Sequence, residues 1–190
     1  MGENAAILAA VRNAPRWMVT RWSGPDGTAT VSMSVAGTVA EVTVHDNRAT
    51  HDGRSVTLDD LGQLLLEVQE TLDRQVLAMP VALGAVTRLV ELWRTTPNDG
   101  SGQWRLRQGR IEWHCTDGLL HVEVGDGGPY AQPMTQPFVD VLVDLGWNHP
   151  DRDFRNCWLQ PPGQALEPAA RIAVLTTMAA FGYPEPPPLP

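Results

Sequence analysis

The first 79 residues combine two kinds of hydrophobic pattern. Apolar residues recur at helical spacing over residues 3–12 and again over residues 57–76, which predicts two helices. Between them, apolar and polar residues alternate with the period of two that is typical of half-buried strands. This part of the sequence therefore predicts an α-βββ-α unit, with strands over residues 16–22, 28–35 and 38–45.

Residues 80–183 repeat this order and extend it. Pro80 favours the start of a new helix over residues 81–93, and Asp117-Gly118 is typical of a β-hairpin turn. The remaining pattern predicts strands over residues 103–107, 111–115, 119–124 and 154–160, and helices over residues 134–146 and 166–181. Runs of strands beside separate helices indicate the α+β class, with antiparallel sheets packed against helices.

The predicted organisation is two tandem α-βββ-α units followed by a tail. The units are residues 1–79 and residues 80–183, and the second carries an additional β-α extension. The tail, residues 184–190, contains five prolines and is of polyproline type.

Composition and charge limit the classes of protein to which this chain could belong. The chain has 190 residues, a net charge of −8 and no lysine, so that every basic residue is arginine. The acidic balance argues against a nucleic-acid binder held by phosphate contacts. An acid precedes the first apolar segment, and there is no run of 18 apolar residues. We therefore expect a cytoplasmic protein with no membrane partner. The arginine bias indicates a GC-rich bacterial genome.

Residues that could carry catalysis or hold a metal are few and scattered. His114 and Cys115 are adjacent on one predicted strand, so their side chains point to opposite faces, and His121 across the hairpin can approach only one of them. Cys157 lies in an alternating strand and is typical of a small core residue. We expect no catalytic residue, no metal site and no cofactor, and two reduced thiols.

The tryptophans suggest a recognition surface. The chain contains seven tryptophans, three phenylalanines and two tyrosines. Four of the seven tryptophans lie in the first or second strand of the two predicted three-stranded units, where arginines flank them. Tryptophan and arginine are enriched at protein interfaces, although core packing is the alternative for tryptophan. The residues predicted to bind a partner are Trp17, Trp22, Trp104, Trp113, Arg21, Arg105 and Arg107.

A short motif in the second unit resembles a known family. A predicted helix ends in Leu145-Gly146-Trp147, Pro150 follows, and Asn156 and Trp158 lie on the next strand before an alanine-rich helix. Over residues 101–183 this order resembles the TY-Chap domains of actinobacteria, relatives of YbjN and of the type III secretion chaperones. The motif residues would have structural roles. Residues 27–35, with the strands and helix after them, are similar to YbaB-like and mycobacterial secretion-associated proteins.

The resemblance implies a non-enzymatic fold, often dimeric, that binds other polypeptides. We therefore expect a chaperone or adaptor that holds a protein client or a component of a secretion system, with a homodimer as one arrangement. Two alternatives stay open: a YbaB-like nucleoid-associated DNA-binding protein, and an immunity or regulatory protein that shares the fold. The net charge argues against the first alternative.

Overall fold

The computed structural model describes residues 3–22, 28–125, 134–152, 156–162, 165–183 and 185–190. Contacts divide the chain into two units, Met1–Gln75 and Val76–Pro190. Helices α1 to α5 are Glu3–Arg12, Leu61–Leu77, Pro80–Thr95, Gln136–Asp144 and Leu166–Ala179. Strands β1 to β9 are Met18–Trp22, Ala29–Val35, Thr38–His45, Arg48–His51, Arg54–Thr57, Ser101–Arg105, Arg110–Thr116, Leu119–Gly125 and Cys157–Leu159. The predicted α+β class, with antiparallel sheets packed against helices, is confirmed.

The first unit contains a five-stranded antiparallel meander in the order β1-β2-β3-β4-β5. Two-residue turns join β2 to β3, β3 to β4 and β4 to β5, and both residues of each turn have positive φ. This backbone matches the twist of antiparallel strands and suits Gly, Asn and Asp. The residues that form the turns are Ala36-Gly37, Asp46-Asn47 and Asp52-Gly53.

The prediction of three strands in this unit was wrong, because β4 and β5 were missed. Both are short and polar, and only Ala49 among their residues is buried. Backbone pairing of β4 with β3, and of β5 with β4, holds these strands in the sheet, so they show no apolar alternation. The helix after them also starts later than predicted, since a 3₁₀ turn over Leu58–Asp60 precedes α2.

One face of this sheet forms the core of the first unit. Alternate residues of β2 and β3 are fully buried there, and Leu61 and Leu65 of α2 and Ile7 of α1 are buried too. The opposite face is polar, with Thr43 and Glu41 exposed. The buried strand residues are Val31, Val35, Val42 and Val44.

The second unit contains a four-stranded antiparallel sheet in the order β6-β7-β8-β9. The strand predicted over residues 154–160 is Cys157–Leu159, which pairs with β8 after the chain returns from α4. Residues 153–155 lie outside the described residues, as do residue 27 of the predicted YbaB-like segment and residue 184 of the predicted tail.

Helices α3 and α5 pack against each other in the second unit. Helix α5 is the more buried of the two, and its small residues Ala170 and Ala173 are fully enclosed. In the described residues, no single helix is long and apolar enough to cross a membrane. The consecutive segments Leu58–Leu77 and Pro80–Thr95 meet that criterion only when taken together.

Candidate functional site

Three of the four tryptophans predicted to bind a partner are in the core. The exposed fractions of Trp17, Trp104 and Trp113 are 2%, 1% and 4%, whereas Trp22 is 46% exposed. Trp113 donates a hydrogen bond through Nε1 to Thr96 Oγ1 at 3.2 Å and makes an edge-to-face contact with Trp93. A partner can therefore reach only Trp22 of this set.

The pleat of β6 separates Arg105 from Trp104. Arg21, Arg105 and Arg107 are exposed. Trp104 is opposite the fully buried Ile111 across the β6–β7 pair, so the adjacent Arg105 points to the other face of the sheet. Trp104 and Arg105 therefore do not form a joint surface, and binding of a partner by the exposed residues Trp22, Arg21, Arg105 and Arg107 stays a prediction.

The first part of the motif over residues 145–158 follows helix α4 and forms its C-terminal cap. Gly146 has a φ of 106°, its N–H donates to the carbonyl of Val143, and the N–H of Trp147 donates to that of Leu142. These two bonds define a Schellman motif, which favours glycine because a β carbon is strained at positive φ. Trp147 is buried and donates through Nε1 to Thr176 Oγ1 of α5 at 2.8 Å. Leu145 is buried as well.

The second part of the motif fixes β9 to its neighbours. The backbones of Asn148 and Trp158 exchange two hydrogen bonds of 2.9 and 3.3 Å. Asn156 Nδ2 donates to Glu123 Oε2 of β8 at 3.0 Å, and Pro150 is half-buried between these segments of the chain. The contacts of the motif are thus internal to the second unit, where they join α4, β8, β9 and α5.

The thiols and histidines of the second unit do not converge. His114 and His121 face each other across β7 and β8, with stacked rings whose centroids are 5.0 Å apart. Burial, and then the neighbouring His114, lower the pKa of His121. Burial also raises the pKa of the Cys157 thiol to about 11. Among the described residues, no cluster of three or more His, Cys, Asp or Glu could hold a metal ion.

A cavity lies in the first unit, between β3 and α2. It is an open groove of about 1110 Å³. Residues 38–41 of β3 form one wall, and α2 forms the other from Leu64 to Gln75. The turn between β4 and β5 borders the groove, and the ion pair between Arg54 and Glu67 joins this turn to α2. We call this cavity the β3–α2 groove.

The wall formed by β3 carries unpaired backbone groups. Strand β3 pairs with β2 along residues 38–44, but with β4 only from Thr43 to His45. Polar groups alternate in direction along an antiparallel strand, so those of Val39 and Glu41 point away from β2 and toward the groove. The Glu41 carbonyl accepts a hydrogen bond of 2.7 Å from the His51 ring. Among the described residues, the Val39 N–H and C=O and the Glu41 N–H have no partner.

The side chains of the groove are acidic above an apolar floor. Among the described residues that line the groove, the carboxylates are Glu41, Asp52 and Glu67 and the guanidinium is Arg54, which gives these residues a net charge of −2 with His51 counted as neutral. Hydrogen bonds from Arg54 and then from Gln63 lower the pKa of Glu67. Glu41 is exposed and has no ion pair within the described part of the chain. Leu64, Val68 and Leu72 supply the apolar floor.

Sequence reasoning missed this groove because it missed β4. The Asp46-Asn47 and Asp52-Gly53 pairs, each followed by an arginine that begins a strand, are the pattern that could have revealed the two extra hairpins. The difference in length between β3 and β4, eight residues against four, leaves half of one edge of β3 open.

Comparison of the chain with protein-family models, with curated proteins and with solved structures finds no significant match. What the structure defines is a class: an α+β protein with two antiparallel sheets, of which the five-stranded one carries an open groove beside an unpaired strand edge.

Proposed function

We propose that this chain is a non-enzymatic chaperone or adaptor that binds another polypeptide. The observation that carries the proposal is the β3–α2 groove, where unpaired backbone groups of β3 stand beside an apolar floor. An unpaired strand edge is a template for pairing with another chain, and native proteins usually shorten, cover or charge such edges. An edge that lines an open groove is typical of strand addition by a partner.

The chemistry of the described side chains favours binding over catalysis. A buried thiol with a pKa near 11 stays protonated at neutral pH and is a poor nucleophile. In the groove, Arg54 is held by Glu67, and the His51 Nδ1 atom is engaged by a backbone carbonyl. These groups position the walls of the groove and are not gathered around a common point where a reacting atom could sit.

The finer assignment rests on the resemblance stated from the sequence. The proposal includes a secretion-chaperone-like fold, an association with secretion in an actinobacterium, a cytoplasmic location and a homodimer. The α-βββ-α-β-α order of the second unit is compatible with it. The acidic groove and the net charge of −8 disfavour the DNA-binding alternative, since phosphates would be repelled.

In-cell photocrosslinking tests this function. A photoreactive amino acid is introduced singly at Val39 in the groove, at Trp22 and Leu119 on other exposed apolar positions, and at Glu70 on the outer face of α2. We expect a defined polypeptide to be crosslinked from Val39 and not from Glu70. If Val39, Trp22 and Leu119 all fail to capture a polypeptide in the native organism beyond what Glu70 captures, the proposed function is refuted.

A further inference from the structure

We infer that the β3–α2 groove binds an extended segment of another protein that carries a basic residue among alternating apolar ones, and that this segment adds to the sheet beside residues 38–42 of β3. The inference rests on the proposed function and specifies its ligand. Backbone pairing, side-chain alternation and charge each contribute one feature of the segment.

The backbone groups set the conformation of the segment. Within the described part of the chain, the unpaired groups of this edge are the Val39 N–H and C=O and the Glu41 N–H. They could form three hydrogen bonds of an antiparallel ladder, two at Val39 and one at Glu41. His51 occupies the Glu41 carbonyl, so pairing ends there. A strand along residues 38–42 spans about 17 Å, the length of roughly five extended residues.

The two walls set the side-chain pattern of the segment. A strand beside β3 continues its pleat, so every second side chain points to the face of the sheet that packs against α2. On that face the side chains meet Val68 and Leu72, which are apolar. The other side chains lie beside Val39, 58% exposed, and Glu41 on the open face. Alternate positions therefore favour apolar residues.

The charge of the groove determines which charge is favoured at the remaining positions of the bound segment. Three carboxylates against one guanidinium attract lysine or arginine, and the unpaired Glu41 carboxylate is next to the edge that the segment would occupy. A second copy of this chain is disfavoured at the same edge. Antiparallel pairing of two β3 edges would bring Glu41 of each copy close to that of the other, where like charges repel.

The experiment measures binding of a synthetic peptide to the full chain. The probe is a nine-residue fluorescein-labelled peptide in which valines alternate with threonines and the central threonine is replaced by arginine. Fluorescence anisotropy gives the dissociation constant, and backbone amide shifts in NMR spectra locate the site. We expect saturable binding, with the largest shifts at Val39 and Glu41.

Matched variants separate the groove from general charge effects. Glu41→Arg is expected to weaken binding at least tenfold, because it reverses the charge beside the edge. Glu70→Arg makes the same charge change on the exposed outer side of α2 and is expected to leave binding within twofold. A peptide with glutamate in place of its arginine should bind at least tenfold more weakly than the original. Equal losses in the two protein variants would overturn the inference.

A separate set of variants tests whether the peptide pairs with the backbone of β3. Val39→Pro removes the free N–H at an edge position, where proline is tolerated, and is expected to weaken binding at least fivefold. N-methylation of alternate amides of the peptide makes the same test on the unaltered protein, and unchanged affinity for both N-methylated registers would refute strand addition.

The outcomes distinguish this inference from the proposed function. If the peptide does not bind but photocrosslinking captures a polypeptide from Trp22 or Leu119, the function stands and the groove inference fails. If the free protein sediments as a dimer that Glu41→Arg dissociates, the edge is occupied by a second copy and the inference is overturned.

Discussion

Arg16 is held in the first unit by a two-pronged ion pair. Its guanidinium nitrogens lie 2.9 and 2.6 Å from the two carboxylate oxygens of Asp73, and the side chains are 4% and 18% exposed. Removing one partner of a buried pair leaves the other charge without compensation, which costs more than the pair contributes to stability. This residue pair joins the segment before β1 to α2.

We expect Asp73→Ala to lower the free energy of unfolding by about 3 kcal/mol. Urea denaturation followed by tryptophan fluorescence measures this change. Glu70→Ala, at an exposed position on the same helix, is the control and should stay within about 0.5 kcal/mol of the unaltered protein. A loss for Asp73→Ala no larger than that of the control would show that the buried pair is not stabilising.

We expect the Cys157 thiol to make the folded protein less stable at alkaline pH. Its folded pKa is raised by burial from the ordinary 9.0 to about 11, so the unfolded thiol loses its proton first. The contribution is therefore present below pH 9 and is lost as the pH rises to about 11. Two pKa units correspond to about 2 to 3 kcal/mol.

The measurement compares the unaltered protein with Cys157→Ala between pH 8 and pH 11. We expect the variant to be less stable at pH 8, because a buried side chain is shortened, but to lose less stability as the pH rises. Parallel curves for the two proteins would contradict the role of the Cys157 thiol. Cys115→Ala, at a half-buried position, serves as the control.

At the scale of single residues, the sequence predicts the burial of some side chains but not of others. Reading Cys157 as a small core residue was confirmed. Reading Trp104 as a partner contact was not, because tryptophan is common both in cores and at interfaces. The alternation of Trp104 with Arg105 already separates the two onto opposite faces, but which face is covered depends on the helices packed against the sheet.

At the scale of the secondary-structure elements, glycines affect the stability of the helices in different ways. Gly146, two residues after the end of α4, has a positive φ that strains any side chain, and a β carbon there would lie 2.9 Å from Ile172 Cδ1, so the end of that side chain would have to shift. Helix α3 contains Gly84, where a β carbon would meet no atom within 4 Å. Substitution by alanine is therefore expected to change the stability in opposite directions at the two glycines.

We expect Gly146→Ala to lower the free energy of unfolding by about 1 to 2 kcal/mol and Gly84→Ala to raise it by about 0.5 to 1 kcal/mol. Thermal denaturation by circular dichroism measures both. Destabilisation by Gly84→Ala would contradict the open space described around that glycine.

The elements with strong apolar periodicity were predicted well. Helix α1 and strand β3 have the bounds that the sequence predicts, and α5 begins at the predicted residue. The two missed strands, β4 and β5, have no such periodicity, because hydrogen bonds rather than apolar burial hold them in the sheet.

The molecule as a whole consists of two units, each with its own sheet. The first unit ends within the last turn of α2, so a cut after residue 79 keeps this helix entire and removes Pro80, where α3 begins. Its buried core includes four valines of β2 and β3 and four leucines of α2. A unit of this size buries enough apolar surface to fold alone, though with modest stability.

We expect a fragment of residues 1–79 to unfold cooperatively, with a thermal midpoint below that of the full chain. Circular dichroism and the dispersion of backbone amide signals in NMR spectra measure this. The full chain under the same conditions is the reference. A fragment without dispersed amide signals would show that the first unit does not fold independently.

The α+β class, most of the helices and strands and the antiparallel order of the sheets could be predicted from the amino-acid sequence, because they follow from the local periodicity of apolar residues and from turn residues. The burial of individual tryptophans and the position of the open strand edge became known only from the packed structure. Both depend on what packs against each face and on how far neighbouring strands run, and neither is written in the pattern of any single segment.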